Sequence, residues 1–409
     1  MPAQSSRPPE LPAARIPGGV WALGFVSLLM DVSSEMIHAL LPVYLVVVLG
    51  SSMLTVGFIE GIAEATAAIT KVFSGALSDR LRRRKTLVVV GYGLAALTKP
   101  VFALATTIDW LVGARFVDRI GKGIRGAPRD ALIADLSPES IRGASFGLRQ
   151  SLDTVGAFLG PLLAVGLMWW TLDDISMVFW FAAIPAALAV GLLLVGVREP
   201  ERPDIEPHRE PLFDRARLER LGSRFWWLAG FAGAFTLARF SEAFLILKAE
   251  SVGLSLTLVP MVLVVMNVAY ALAAYPAGVL SDRGDRIGML VIGLVLLIAA
   301  DVLLARSSGL IAVAMGVVLW GLHMGFTQGI VAALVADMVP GDLRGTGFGV
   351  LNLITGLMLL LASVLAGALW DAGGAGFTFT GGAVLALLSL LGLLLLRPQL
   401  RELQAAGRQ

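Results

Sequence analysis

The chain has 409 residues, 57% of them hydrophobic and 15% charged, with a mean hydropathy of +0.81 and a net charge of +2. A soluble domain carries about 25% charged residues, so this composition excludes a soluble globular protein, a disordered chain and a single-span receptor. The small net charge gives no support for a nucleic-acid partner. The absence of cysteine excludes disulfides and thiolate sites, and the continuous apolar runs argue against an alternating outer-membrane barrel.

In chain order, residues 1–18 form a polar, Pro-rich tail without the apolar core of a signal peptide. Residues 19–197 contain six apolar runs, over 19–49, 54–78, 86–105, 108–134, 143–169 and 175–197. Residues 198–224 are polar. Residues 225–397 contain six more runs, over 225–249, 255–281, 287–305, 309–336, 345–370 and 376–397, and 398–409 form a tail. A bilayer crossing needs roughly 20 apolar residues, so the pattern predicts an all-α membrane protein with twelve transmembrane helices. Arginines and lysines gather after spans 2 and 8, in the 198–224 segment and in the tail, while the alternate loops are nearly free of them. By the positive-inside rule both termini and the 198–224 linker are expected in the cytoplasm.

The chain repeats itself. Ala131-Leu-Ile-Ala-Asp135-Leu-Ser-Pro138 returns 202 residues later as Ala333-Leu-Val-Ala-Asp337-Met-Val-Pro340. Gly75-Ala-Leu-Ser-Asp79-Arg80 returns 203 residues later as Gly278-Val-Leu-Ser-Asp282-Arg283. Two matches at nearly one offset predict two pseudo-symmetric six-helix halves, 19–197 and 225–397. Parallel halves place a substrate site between them near the membrane midplane.

The loop after span 2, Gly75-x-Leu77-x-Asp79-Arg80-x-x-Arg83-Arg84-Lys85, resembles the signature loop of the major facilitator superfamily, with Arg82 in place of its second glycine. Arg115 with Gly121 and Gly123 in span 4 is similar to a second stretch of that family. Gly156-x-x-x-Gly160-Pro161 in span 5 is close to the glycine–proline motif associated with antiporters, without its closing glycine pair. The resemblance covers the whole chain. It implies a transporter of the bacterial inner membrane and a cytoplasmic gate built from Gly75, Asp79, Arg80, Arg83, Gly278, Asp282 and Arg283. Independently of family, Gly75 suits close helix approach, whereas Arg80 to Lys85 could serve as a topology signal alone.

Span 4 is the most charged run. Arg115, Asp118, Lys122, Arg125 and Arg129 recur at helical spacing and share one stripe. Charges inside a bilayer rarely face lipid, so the stripe either lines a cavity or pairs within the first half. Arg115 and Lys122, placed deepest, are the stronger functional candidates, and Pro128 is expected to interrupt the helix. Asp31 and Glu35 in span 1, and Glu60 and Glu64 in span 2, are each i, i+4 pairs. A carboxylate beside an arginine stays ionised; moved away from it in a dry site it takes up a proton. This suits Asp31 and Glu35 to proton coupling, while Glu60 reads as structural and Glu64 stands between the two. Lys71 and Lys99 are expected to pair with Glu64 or to line the cavity, and Arg149 with Asp153 to pair locally.

In the second half, Arg239, Glu242 and Asn267 are candidate substrate contacts. Phe240, Phe244, Tyr270 and Tyr275 are candidates for an apolar wall, and Asp301 and His323 read as core or peripheral. Three scattered histidines suggest no metal site, and His38 beside Met36 fits helix packing. No nucleophile elbow, phosphate loop or cofactor motif is present, so neither enzyme chemistry nor a cofactor is expected. The leading expectation is a secondary transporter, with the small solute, protons and the lipid bilayer as partners and no obligate protein partner. Proton antiport with efflux is placed ahead of small-organic-anion uptake.

Overall fold

In the computed structural model the described residues are 16–81, 83–138, 141–199, 215–283, 286–340 and 343–406. They form helices α1 (Gly18–His38), α2 (Met53–Leu81), α3 (Arg84–Leu104), α4 (Ile108–Leu136), α5 (Arg142–Trp170) and α6 (Ile175–Gly196). The second half follows as α7a (Gly222–Leu237), α7b (Ala243–Ser251), α8 (Met261–Arg283), α9 (Arg286–Arg306), α10 (Leu310–Met338), α11 (Arg344–Gly373) and α12 (Ala375–Ala406). Ten of the helical segments are long and apolar enough to cross a membrane. The other two of the twelve depart for physical reasons: α4 is too charged, and α7 is broken. The protein is an all-α multi-pass membrane protein.

Three expectations about continuity change. α1 stops at His38 and resumes as Leu41–Val43 and a wider π turn over Tyr44–Val48, because Pro42 offers no N–H to the preceding turn. Span 7 divides at Ala238–Glu242. Ser363 Oγ accepts from the Ser241 amide at 3.2 Å and Ser241 Oγ accepts from the Ala243 amide at 3.3 Å, satisfying backbone groups the break frees. Pro128, by contrast, does not interrupt α4, which runs unbroken to Leu136. Buried among neighbouring helices, the proline is tolerated at membrane depth.

The two halves use one packing scheme. α3 with α4, α2 with α4, α1 with α5, α1 with α6, and α3 with α6 pack together. So do their counterparts six helices on: α9 with α10, α8 with α10, α7 with α11, α7 with α12, and α9 with α12. Between halves, α2 packs along α11 and α5 along α8.

The α2–α11 contact runs from the face carrying the α1–α2 turn, termed here the far face, past the midplane to Val72 and Gly349, and polar contacts join the halves at the far face. Asp371 at the end of α11 accepts from the Met53 and Leu54 amides that open α2, at 3.0 and 2.9 Å. That carboxylate sits on the positive end of the α2 dipole. Thr257 Oγ1 donates to Asp173 Oδ1 at 2.6 Å, joining the segment before α8 to the end of α5. A Cβ on Gly57 would collide with the Ser363 carbonyl, and one on Gly367 with the Met53 carbonyl. Both glycines therefore set the closeness of α2 and α11.

Gly57→Val is expected to force these helices apart and lower stability by about 1–3 kcal/mol, read by unfolding in detergent. Gly93→Ala, where an added Cβ meets open space, is expected to leave stability within about 0.5 kcal/mol.

Candidate functional site

The stripe on α4 meets a partner at almost every level. Arg115 Nη2 donates to both carboxylate oxygens of Glu60, at 3.0 and 2.8 Å. His38 lies 3.5 Å from Glu60 and 3.4 Å from Glu35, joining α1 to α2 through one ring. Lys99 from α3 donates to Asp118 at 2.9 Å and to Ser34 at 3.2 Å. Arg119 pairs with Glu64 at 3.0 Å and approaches Asp118 at 3.8 Å. Arg125 stacks 4.6 Å above the Tyr92 ring. Arg129 donates to Ser27 at 2.9 Å and pairs with Asp130 at 3.1 Å.

Of the two readings of the stripe, this geometry is the pairing one for Arg115, Asp118, Arg125 and Arg129, all of which are buried. It joins α4 to α1, α2 and α3. Lys99 turns to Asp118 and leaves Glu64 to Arg119. His38 is the residue whose role the sequence missed; its i+3 spacing from Glu35 was the available signal.

The α1 carboxylates differ. Glu35 is engaged by His38, whereas Asp31 makes no ion pair among the described residues. An added Cβ on Gly156 would lie 3.0 Å from the Asp31 Cβ, and one on Gly160 2.6 Å from the Glu35 Cβ. The glycines of the antiporter-like motif thus seat α5 directly against these two carboxylates. Pro161 is buried within an unbroken α5. Arg149 and Asp153 pair locally at 2.6 Å.

A cavity of about 430 Å³ opens between the halves, from the midplane toward the face opposite the α1–α2 turn. Glu64, Lys71 and Lys122 line it from the first half, and Arg239, Gln328 and Asn352 from the second. Among the described residues Lys71, Lys122 and Arg239 form no ion pair. Neither Arg115 nor Asp118 lines this cavity. Glu242 lies at the α7 break, outside the lining, and Asn267 donates across the halves to the Ala157 carbonyl at 3.4 Å.

The expected aromatic wall is corrected. Phe240 and Phe244 are buried in a cluster with Trp320, Trp370 and Phe379. Tyr275 is 79% exposed on the perimeter, and Tyr270 packs against the apolar core. The rings that line the cavity belong to Phe235 and Phe348. Asp301 and His323 are fully buried in the second half; His323 Nδ1 lies 2.9 Å from the Gly293 carbonyl oxygen.

At the expected gate, Gly75 faces Ala127 at ordinary contact distance, Gly278 faces open space, and Arg83 is exposed. The side chains of Asp79, Arg80, Asp282 and Arg283 lie outside the described residues. A contact the sequence did not suggest joins this region. Arg84 pairs with Asp135 at 2.8 Å and donates to the Ala131 carbonyl at 2.8 Å, so the repeated Ala-x-x-Ala-Asp segment supplies a partner for a loop arginine.

The family model described as Major Facilitator Superfamily matches residues 23–248 and 241–409. The chain belongs to this superfamily. It is 33% identical over 390 residues to an uncharacterised MFS-type transporter of Methanocaldococcus jannaschii, covering 92% of this chain and 94% of that protein. Two relatives match in part. A probable galactarate/D-glucarate transporter of Escherichia coli is 31% identical over 175 residues, 41% of this chain and 38% of that one. A multidrug resistance protein of Photorhabdus laumondii is 32% identical over 167 residues, 40% of each.

Removing one member of a buried ion pair strands its partner. Arg115→Ala is therefore expected to cost about 3–5 kcal/mol in unfolding experiments. The double variant Arg115→Gln/Glu60→Gln is expected to cost less than Arg115→Ala, because no charge is left uncompensated.

Proposed function

We propose that this superfamily member is a secondary transporter of small organic anions that works by alternating access. The observation that carries the reading is the cavity between the halves. Among the described residues its three cations form no ion pair, and its carboxylate, Glu64, is already held by Arg119. An unpaired cation in a partly dry cleft attracts and orients an anion. The partial likeness to a galactarate/D-glucarate transporter agrees with this substrate class.

With the positive-inside rule, the cavity faces the cytoplasm of a bacterial inner membrane, both termini lie on that side, and the far face is the outer one. The arrangement is then an inward-open state. Asp371 and the glycine contacts of α2 with α11 close the exterior, and Arg84 with Asp135 belongs to the inner rim beside Asp79, Arg80 and Arg83. Asp31, unpaired beside Gly156, is assigned the coupling proton, with Glu35 and His38 as its neighbours on α1.

A second reading is proton-coupled efflux of a cationic or neutral solute. It is favoured by the same Asp31 and by the likeness to a multidrug resistance protein.

In proteoliposomes, a gradient of small organic acids is expected to drive saturable flux that Lys122→Gln lowers by at least about tenfold, the value of one charge-assisted contact. Asp31→Asn is expected to abolish the accompanying pH change while leaving anion exchange. Proton release on adding a lipophilic cation, lost in Asp31→Asn and unaffected by Lys122→Gln, would instead establish the efflux reading.

A further inference from the structure

Resting on the anion reading, we propose that the cavity selects a small hydroxylated dianion, held at one end by Lys122 on α4 and at the other by Arg239 on α7a. Four ionisable side chains line the cavity: Glu64, Lys71, Lys122 and Arg239. Arg119, buried behind the lining, neutralises Glu64 at 3.0 Å. Lys71 lies near the rim, in the field of Asp130. Lys122 and Arg239 remain, one from each half, and neither has an ion-pair partner among the described residues. Two positive charges without an ion pair in a cleft that closes are best balanced by two negative charges, since Glu242 acts on Arg239 only from the α7 break, outside the lining. A monoanion would leave one charge stranded at the midplane, where an uncompensated charge is costly.

The walls are largely apolar, and the uncharged polar groups set among them are Thr236, Gln328, Asn352 and Thr355. Thr236 Oγ1 donates to the Ala232 carbonyl at 2.7 Å and Thr355 Oγ1 to the Leu351 carbonyl at 2.9 Å. Their hydroxyl protons are engaged, so both oxygens face the cavity as acceptors. The side-chain amides of Gln328 and Asn352 supply donors and acceptors beside them. Those four groups give the hydroxyl groups of a ligand partners that a bare methylene chain would leave unused. The volume of about 430 Å³ falls at the small end of ligand sites, about 300–1,000 Å³.

The test is calorimetric titration of the purified protein in detergent with matched acids: D-glucarate against D-gluconate, and succinate against butyrate. Each pair keeps the carbon chain and changes the number of carboxylates. The expected result is that a dianion binds at least about tenfold tighter than its matched monoanion, and glucarate more tightly than succinate. Arg239→Gln should bring each pair to within about twofold while leaving monoanion affinity in place, and Arg239→Lys should retain the preference. Thermal unfolding of each variant separates a lost anchor from a lost fold. Equal affinity for monoanion and dianion in the unaltered protein would overturn the two-anchor site and leave the anion reading standing. Absence of binding by every acid would overturn both.

Discussion

A charge can reside within a bilayer only where a partner or water receives it, and the first half of this transporter is organised around that constraint. α4 carries enough cations to be unstable in lipid by itself. Glu60 and Glu64 of α2 receive Arg115 and Arg119, the Tyr92 ring of α3 receives Arg125, Ser27 of α1 accepts from Arg129, and Asp118 on α4 itself receives Lys99 of α3. Each of these contacts also fixes the position of α4 relative to α1, α2 or α3. The second half reaches cohesion by a different route, through the Phe240, Phe244, Trp320, Trp370 and Phe379 cluster.

Against this background the proposed site rests on the groups that form no ion pair among the described residues. Most charges on α4 have their partner within the half; Lys122 forms no such pair, and Arg239, which also forms none, lines the same cavity from the other half. Asp31 likewise forms none, at the point where Gly156 lets α5 press on α1. At the far face the halves are joined by a carboxylate on a helix end, one hydroxyl bond and two glycine approaches, and the alternating access proposed above requires that this face can open.

The architecture was largely legible in the sequence. Twelve apolar runs, the repeat at 202 and 203 residues, and the loop of Gly75 to Lys85 lead to one fold, because in lipid each crossing must satisfy its own backbone hydrogen bonds and so must be a long apolar helix. The site was legible only in part. Helical spacing placed Arg115, Lys122 and Arg129 on one stripe. It gave no means of telling which would meet a carboxylate from another helix, since that depends on how helices rotate against one another. Arg115 accordingly proved paired, and Lys122 unpaired. Phe240 and Tyr275 show the same gap: a hydrophobic ring on an apolar helix can face core, lipid or cavity with no change in local pattern. The break at Ala238–Glu242 was also silent, because Ser363, more than a hundred residues away, satisfies the freed amide.

The central claim is that the unpaired cations of the cavity form the ligand site. Its most direct test is to locate an electron-rich anion, a bromine-substituted dicarboxylate, by anomalous diffraction from crystals of the protein. The account places the bromine between α4 and α7a, within reach of Lys122 and Arg239. A bromine signal confined to the exterior, or one that persists unchanged in the Lys122→Gln/Arg239→Gln protein, would contradict it.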